Sequence, residues 1–238
     1  MLTRKNLLAG VCVLLLTAAN GPALGQSLPG MYIRGDVGWS ATTNANIHDR
    51  NAADHVILGN LSDIGSGWFA GGGVGAPIIP GFRGEIAYTY HGGYHLDELD
   101  HGTPQARFRA DIFAHSVMAN GYWDIPYTYA GIVPFLGVGL GWSEVNISDL
   151  SSTISGTTAH APDGTADNLA WQLMVGAGVP VSPGVIVDFF YRYFDGGHGK
   201  TEAGNVVVNG SVVGAYSGAE GALHAHELGA SLRFAIGG

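Results

Sequence analysis

Eight segments of this chain alternate apolar and polar residues with a period of two, and their connections alternate between long and short. The segments lie near 31–40, 67–76, 82–91, 112–124, 132–144, 168–180, 185–194 and 223–235. Period-two alternation marks a β-strand with two unlike faces. Residues 41–66, 92–111, 145–167 and 195–222 form long connections, polar and rich in Gly, Asn, Asp and Ser. The other three are short and carry proline: Ile79-Pro80-Gly81, Ile125-Pro126, and Pro180 to Gly184. Four long loops and three short turns demand an even strand count and put both termini on the short-turn side. The expectation is an all-β fold, an eight-stranded antiparallel up-and-down transmembrane β-barrel. A water-soluble sandwich has no reason to alternate its loop lengths so strictly.

Charge decides which face meets lipid. In the third segment Phe82, Ile86, Tyr88 and Tyr90 oppose Arg83, Glu85, Thr89 and His91. In the seventh, Val187, Phe189, Tyr191 and Tyr193 oppose Asp188 and Arg192. In the fourth, Val117, Ala119 and Trp123 are expected outward, with Met118, Asn120 and Tyr122 inward. An arginine facing the bilayer midplane costs about 2–4 kcal/mol, so the charged face must be the interior. The apolar face carries aromatics near the strand ends. Trp39, Trp68, Tyr90, Trp142, Trp171 and Tyr193 fall toward the long loops; Phe82, Trp123 and Phe234 fall toward the turns. Two such belts are what a barrel sets at the two water–lipid boundaries. A soluble lipocalin-like barrel would instead need a charged exterior. Only 12% of these residues are charged, about half the usual fraction, and most of them lie in the loops.

The N-terminus reads as an export signal. Arg4 and Lys5 precede the apolar run Leu7 to Ala19, and Ala23 and Gly25 supply a small-x-small cleavage pattern. The expected division is a cleaved signal peptide over 1–25 and an outer-membrane barrel domain over 26–238. Cys12 falls inside the signal, so thiol chemistry and Cys-ligated metal are excluded from the mature chain. A net charge of −9 with no basic patch excludes a nucleic-acid partner.

The inward faces carry four bases, Arg34, Arg83, Arg192 and Arg233, and four acids, Asp36, Glu85, Asp188 and Glu227. Balanced charges in a narrow lumen are expected to pair, since a lone buried partner costs roughly 3–5 kcal/mol. Eight strands leave an interior just wide enough for side chains. Inward glycines (Gly71, Gly73, Gly137, Gly139, Gly176, Gly178) make room for them, and Phe69, Phe135 and Phe190 favour closure. The network therefore reads as a structural plug in preference to a selectivity ring.

Enzymatic chemistry finds little support. Gly137-x-Gly139-x-Gly141 lacks the following helix and Lys-Ser/Thr of a phosphate loop. An outer-membrane lipid hydrolase needs a histidine base beside a serine. His115 and Ser116 point to opposite faces, and no His-x-Ser pair exists in the sequence. His91, His95, Asp97, Glu98, Asp100 and His101 gather along one long loop, where a solvated acidic surface is the preferred reading over a metal site.

The stretches "MYIRGDVGWS", "FRGEIAYTYH", "VMANGYWDI", "PFLGVGLGWS", "WQLMVGAG", "VDFFYRYFD" and "HELGASLRF" resemble the small outer-membrane β-barrel proteins of alphaproteobacteria, the opacity-protein-like or porin-family barrels, which share the OmpA/OmpX-type shape. The resemblance spans all eight segments. It implies Gram-negative outer-membrane residence, long loops outside and termini in the periplasm, a role in envelope integrity or surface contact, and no enzyme activity or cofactor. Outer-membrane lipid and lipopolysaccharide are the implied surroundings. The last segment resembles the insertion signal read by the barrel-assembly machinery, with Glu227, Gly229, Leu232 and Phe234 at the matching positions; here Ala235 to Gly238 follow the aromatic. A small diffusion porin is the alternative function, and a lipid hydrolase the second.

Overall fold

The computed structural model describes residues 30–43, 48–51, 65–100, 106–126 and 131–236. The expected signal over 1–25 lies outside the described residues. Among these residues twelve strands form: β1 (Met31–Thr42), β2 (His48–Asp49), β3 (Ser66–Ile79), β4 (Phe82–Asp100), β5 (Ala106–Asp124), β6 (Val133–Ile154), β7 (Thr157–His160), β8 (Gly164–Ser182), β9 (Val185–Lys200), β10 (Gly204–Val208), β11 (Ser211–Tyr216) and β12 (Ala219–Ile236). Eight of them close a ring of antiparallel neighbours in the order β1-β3-β4-β5-β6-β8-β9-β12. β1 seals it against β12, from Met31 opposite Ile236 to Thr42 opposite Ala225. Full closure leaves no open sheet edge in the ring.

The turn end is tight. Gly81 and Gly184 hold φ of 79° and 75° in the β3–β4 and β8–β9 turns, the left-handed region that glycine enters without cost. Above these turns the outward residues are apolar and exposed: Val37, Ile86, Val138, Leu140 and Phe189 each keep more than half their surface. Phe82 stacks beside Trp123 at the lower edge of this band, at 6.4 Å. Trp68–Tyr90 and Trp171–Tyr193 pair at the upper edge, at 5.3 and 5.4 Å. Along β4 the belts are the eight steps from Phe82 to Tyr90 apart. At about 3.3 Å per residue and a tilt near 40°, that is about 20 Å of height, close to the apolar band of an outer-membrane barrel.

Beyond the upper belt the structure departs from the sequence expectation. Residues 92–111, 145–167 and 195–222 are largely strand, not loop: β4, β5, β6, β9 and β12 run on, and β7, β10 and β11 join them. The extra strands continue the sheet from β6 in the order β7-β10-β11. Two hairpins build this part. Ser155-Gly156 and Asn209-Gly210 both have positive φ at successive residues, the type I′ geometry that matches strand twist. The inward side is apolar: Tyr94, Leu96, Phe108, Ile112, Leu150 and Leu223 are all buried in one cluster.

β-Bulges re-aim the strands where the two parts meet. β4 buries Arg83, Glu85, Thr89 and His91 and then, past a register shift between His91 and Tyr94, Tyr94 and Leu96. β6 changes parity around Asp149, which has φ 56° and is followed inward by Leu150 and Ser152. β9 does so at Gly197, φ 82°. Each bulge inserts one residue and turns the following side chains over.

Candidate functional site: the lumen

The lumen is filled by polar side chains in three levels. Nearest the turns, Arg233 grips Asp188 with two bonds of 2.7 Å, and Ser231 donates to the same carboxylate at 3.1 Å. Arg83 donates to Tyr32 at 3.2 Å and to Asp124 at 3.1 Å. Asp124, at the end of β5, is the acid that Arg83 uses; sequence reading had not placed it in the network. An open vestibule of about 840 Å³ reaches this level from the turn end, past Pro77, Ile79 and Ile186.

In the middle, Glu85 is the hub. Arg34 lies 3.1 Å from it, the Tyr122 and Tyr32 hydroxyls donate to it at 3.1 and 3.2 Å, and Asn120 donates at 3.3 Å. Arg34 also donates to Tyr122 at 2.7 Å and approaches Asp36 at 3.4 Å. Gln172 of β8 donates to Asn120 of β5 at 2.7 Å, across Gly139 of the intervening β6. Phe69, Phe135 and Phe190 pack with Tyr122 and Met174 as one buried cluster. Gly229 exists for this packing, since a Cβ there would meet the Phe69 and Phe190 rings at 2.6 and 2.7 Å.

At the third level Glu227 gathers Arg192, His91 at 2.8 Å and Ser40 at 3.1 Å. The Arg192 guanidinium lies 4.4 Å over the Phe69 ring, a desolvated cation–π contact. Tyr94 donates to Ser40 at 2.6 Å, because the Ser40 proton is committed to Glu227. His91 stacks on Phe194 at 4.3 Å, so this level joins the polar lumen to the apolar cluster above it. Buried carboxylates and guanidiniums are tolerable only with such multiple partners. Among the described residues four buried side-chain atoms, Arg34 Nε, Asp36 Oδ2, Ser143 Oγ and Arg192 Nη2, have no hydrogen-bond partner.

All eight charged residues named from the sequence face the lumen, but they do not pair as one ring. They form separate groups around Asp188, Glu85 and Glu227, with Arg83 turned to Asp124. Of the last-strand pattern, Glu227 and Gly229 belong to the lumen, whereas Leu232 and Phe234 face outward. The belt aromatics Trp39, Trp68, Trp171, Phe82 and Trp123 are outward and exposed; Tyr90, Trp142 and Tyr193 are half-buried among neighbours. Among the described residues the histidine–acid stretch does not gather into a cluster. His91 is wholly buried in the lumen, while His95 lies exposed 2.6 Å from Asp111. Glu98 and Asp100 side chains and His101 lie outside the described residues.

Long-range pairing also produces an arrangement that local spacing did not. His115 faces outward, bonded to Tyr88 at 2.6 Å, and Ser116 faces inward. Across the β4–β5 pair, however, Ser116 Oγ comes to 3.3 Å from His91 Nε2, whose other nitrogen meets Glu227. This serine–histidine–glutamate line has the order of a hydrolase triad. Its surroundings are wrong for one. Ser116, His91 and Glu227 are each no more than 1% exposed, and Arg192 occupies the carboxylate from the other side. The Ser116 hydroxyl is buried, and the line ties β5, β4 and β12 together by hydrogen bonds.

Comparison with known proteins adds independent findings. The family described as outer membrane protein beta-barrel domain matches residues 10–234. Outer membrane protein PagN of Salmonella typhimurium is 25% identical over 205 residues, covering 81% of this chain and 84% of PagN. A putative adhesin of Rickettsia bellii is 32% identical over 124 residues, about half of each chain. The crystal structure of Neisserial surface protein A superposes with a TM-score of 0.52 at 18% identity, covering 89% of this chain and all of the other. OprG of Pseudomonas aeruginosa gives a TM-score of 0.50 at 12% identity, covering 87% and 97%. The chain belongs to the outer-membrane β-barrel domain family.

Proposed function

We propose, with membership of that family as the premise, that this protein is a non-conducting, non-enzymatic barrel that anchors a rigid surface extension in the outer membrane. The observation that carries the reading is the middle level of the lumen. There Arg34, Glu85 and Tyr122 bond across the barrel between Phe69, Phe135 and Phe190. A channel needs a continuous aqueous path, and this level replaces it with paired charges and rings. In this reading the long end faces outside, among lipopolysaccharide, and both termini lie in the periplasm. Outward Leu232 and Phe234 then present the last strand to the barrel-assembly machinery. The buried Ser116 counts against lipid hydrolysis. A relative named as a putative adhesin supports a role in surface contact. The barrel then contributes position and stiffness, and the extension contributes the contacting surface.

The competing function is a diffusion porin. Purified protein in a planar bilayer distinguishes them. The plug predicts no steady conductance above that of the bare membrane. A stable current rising in proportion to salt would overturn it. Glu85→Ala removes the central acceptor and is expected to admit intermittent current where the parent shows none.

A further inference from the structure

Just above the upper belt, the outward side of β9 and β12 holds a hollow of about 410 Å³ beside β2. His48, His198, Glu220 and His224 line it, with Tyr193 at its lower edge. The register explains the gathering. Glu220, Ala222 and His224 are successive outward positions on β12, and His198 of β9 stands opposite Ala222. It is therefore diagonal to Glu220, at the roughly 7–8 Å that long side chains bridge. On the other flank of β12, His48 of β2 stands opposite Glu220. Ala222, with its single methyl, leaves the space between them open.

The β9 bulge is what turns His198 outward. Before Gly197 the outward positions are Tyr191, Tyr193 and Asp195; the extra residue puts His198 on their face. Its backbone is held on both sides by the Asn168 amide, which donates to the His198 carbonyl at 3.0 Å and accepts from its N–H at 3.1 Å. Asp195 accepts the Gly197 N–H at 3.0 Å with one oxygen and offers the other to His224 Nδ1 at 3.3 Å. His48 Nε2 lies 3.4 Å from Glu220 Oε1. Two donors on one tetrahedral zinc, each at about 2.0–2.1 Å, sit about 3.3 Å apart. Both imidazole–carboxylate pairs already have that spacing.

We propose that this hollow binds a zinc- or copper-class divalent cation, through His198, His224 and the adjoining carboxylates. Imidazole with carboxylate suits late first-row cations better than calcium or magnesium, which prefer all-oxygen sets. Among the described residues no three His or acid donors already converge on one point. Binding therefore gathers them by side-chain rotation, with the backbone kept in place by Asn168. Lys200 stands opposite Glu220 on β9.

The test is Zn²⁺ titration by calorimetry of the full mature chain, made without a histidine tag and folded in detergent. Parent protein should bind one Zn²⁺ saturably. His198→Ala and His224→Ala should each weaken binding roughly 10- to 100-fold or more, the range by which loss even of outer-shell support weakens metal sites. His95→Ala, an exposed histidine on β4 away from the hollow, should match the parent. All these positions are at the surface, and circular dichroism with heat-shifted gel mobility confirms folding of each variant. Absence of saturable binding by the parent would overturn the proposal. So would equal affinity in the parent and both hollow variants, or an equal loss in His95→Ala.

Discussion

β4 shows two solvents acting on one strand. Between the aromatic belts it buries Arg83, Glu85 and His91 and turns Ile86 to the outside; past the bulge it buries Tyr94 and Leu96 and turns His95 and Asp97 out. The lower part is polar within and apolar without, and the upper part is the reverse. Where lipid surrounds the barrel, polar groups go to the only place that can pair them. Where water surrounds it, apolar groups go inward. The inversion thus marks the upper edge of the membrane band. It is made in two ways. β4, β6 and β9 change parity through bulges, whereas β5 and β12 keep parity and simply change side-chain chemistry along the inward face, from Ser116 to Ala114 and from Glu227 to Ala225.

The seam between the parts is Glu227, so the largest effect is expected there. Glu227→Ala strands Arg192, which is 1% exposed, and removes the acceptor of His91 and Ser40. Orphaning a buried partner costs about 3–5 kcal/mol. Urea unfolding in detergent measures it. Stability equal to the parent would mean that the upper apolar cluster, not the polar lumen, holds the seam.

A second test applies one substitution on either side of the proposed boundary. Leu140 and Val212 are both outward and 56% and 63% exposed. Leu140→Arg puts a guanidinium against lipid and should cost about 2–4 kcal/mol. Val212→Arg, on β11 in the upper part, should stay within about 0.5 kcal/mol, as ordinary surface changes do. Folding equilibria in lipid bilayers compare them. Similar costs at both sites would erase the distinction between the two regions.

The same inversion explains what the sequence made legible. Ring, strand count and inward charges follow from period two plus the cost of charge in lipid, as in the Phe82 to His91 segment. The upper part was hidden because its strands carry glycine and polar residues outward, and because bulges at Gly92-Gly93, Asp149 and Gly197 break the alternation that identifies a strand. One local signal was present: Asn209-Gly210 between Val206-Val207-Val208 and Ser211-Val212-Val213 is a type I′ hairpin pattern. It sat inside a stretch read as loop on composition. The lumen partners were hidden for another reason. Tyr122, His91 and Asp124 meet Arg34, Glu227 and Arg83 across sequence separations of 88, 136 and 41 residues. Such pairs are fixed by ring closure and strand stagger, which no short motif records.

The smallest effect belongs to the outward charges of the upper part. Arg107 of β5 grips Asp97 of β4 with bonds of 2.5 and 2.6 Å, and Arg109 lies 3.6 Å away. The hydrogen-bonded Arg107 guanidinium, followed by the charge of both arginines, holds the Asp97 carboxyl below its ordinary value. A carboxyl lowered in the folded state favours folding above its unfolded pKa, near 3.9, and that contribution fades as pH falls through the folded value. The pair is open to water, so salt screens it and its share of stability is minor. Amide hydrogen exchange across residues 94–112 is the sensitive probe, because it reads local opening of this hairpin rather than global unfolding. Asp97→Asn should speed exchange modestly at neutral pH and low salt. The difference from the parent should shrink below about pH 4 and again in high salt. A difference that persisted under both conditions would mean that Asp97 acts by packing or hydrogen-bond geometry alone, and that charge contributes nothing to the outward face above the belt.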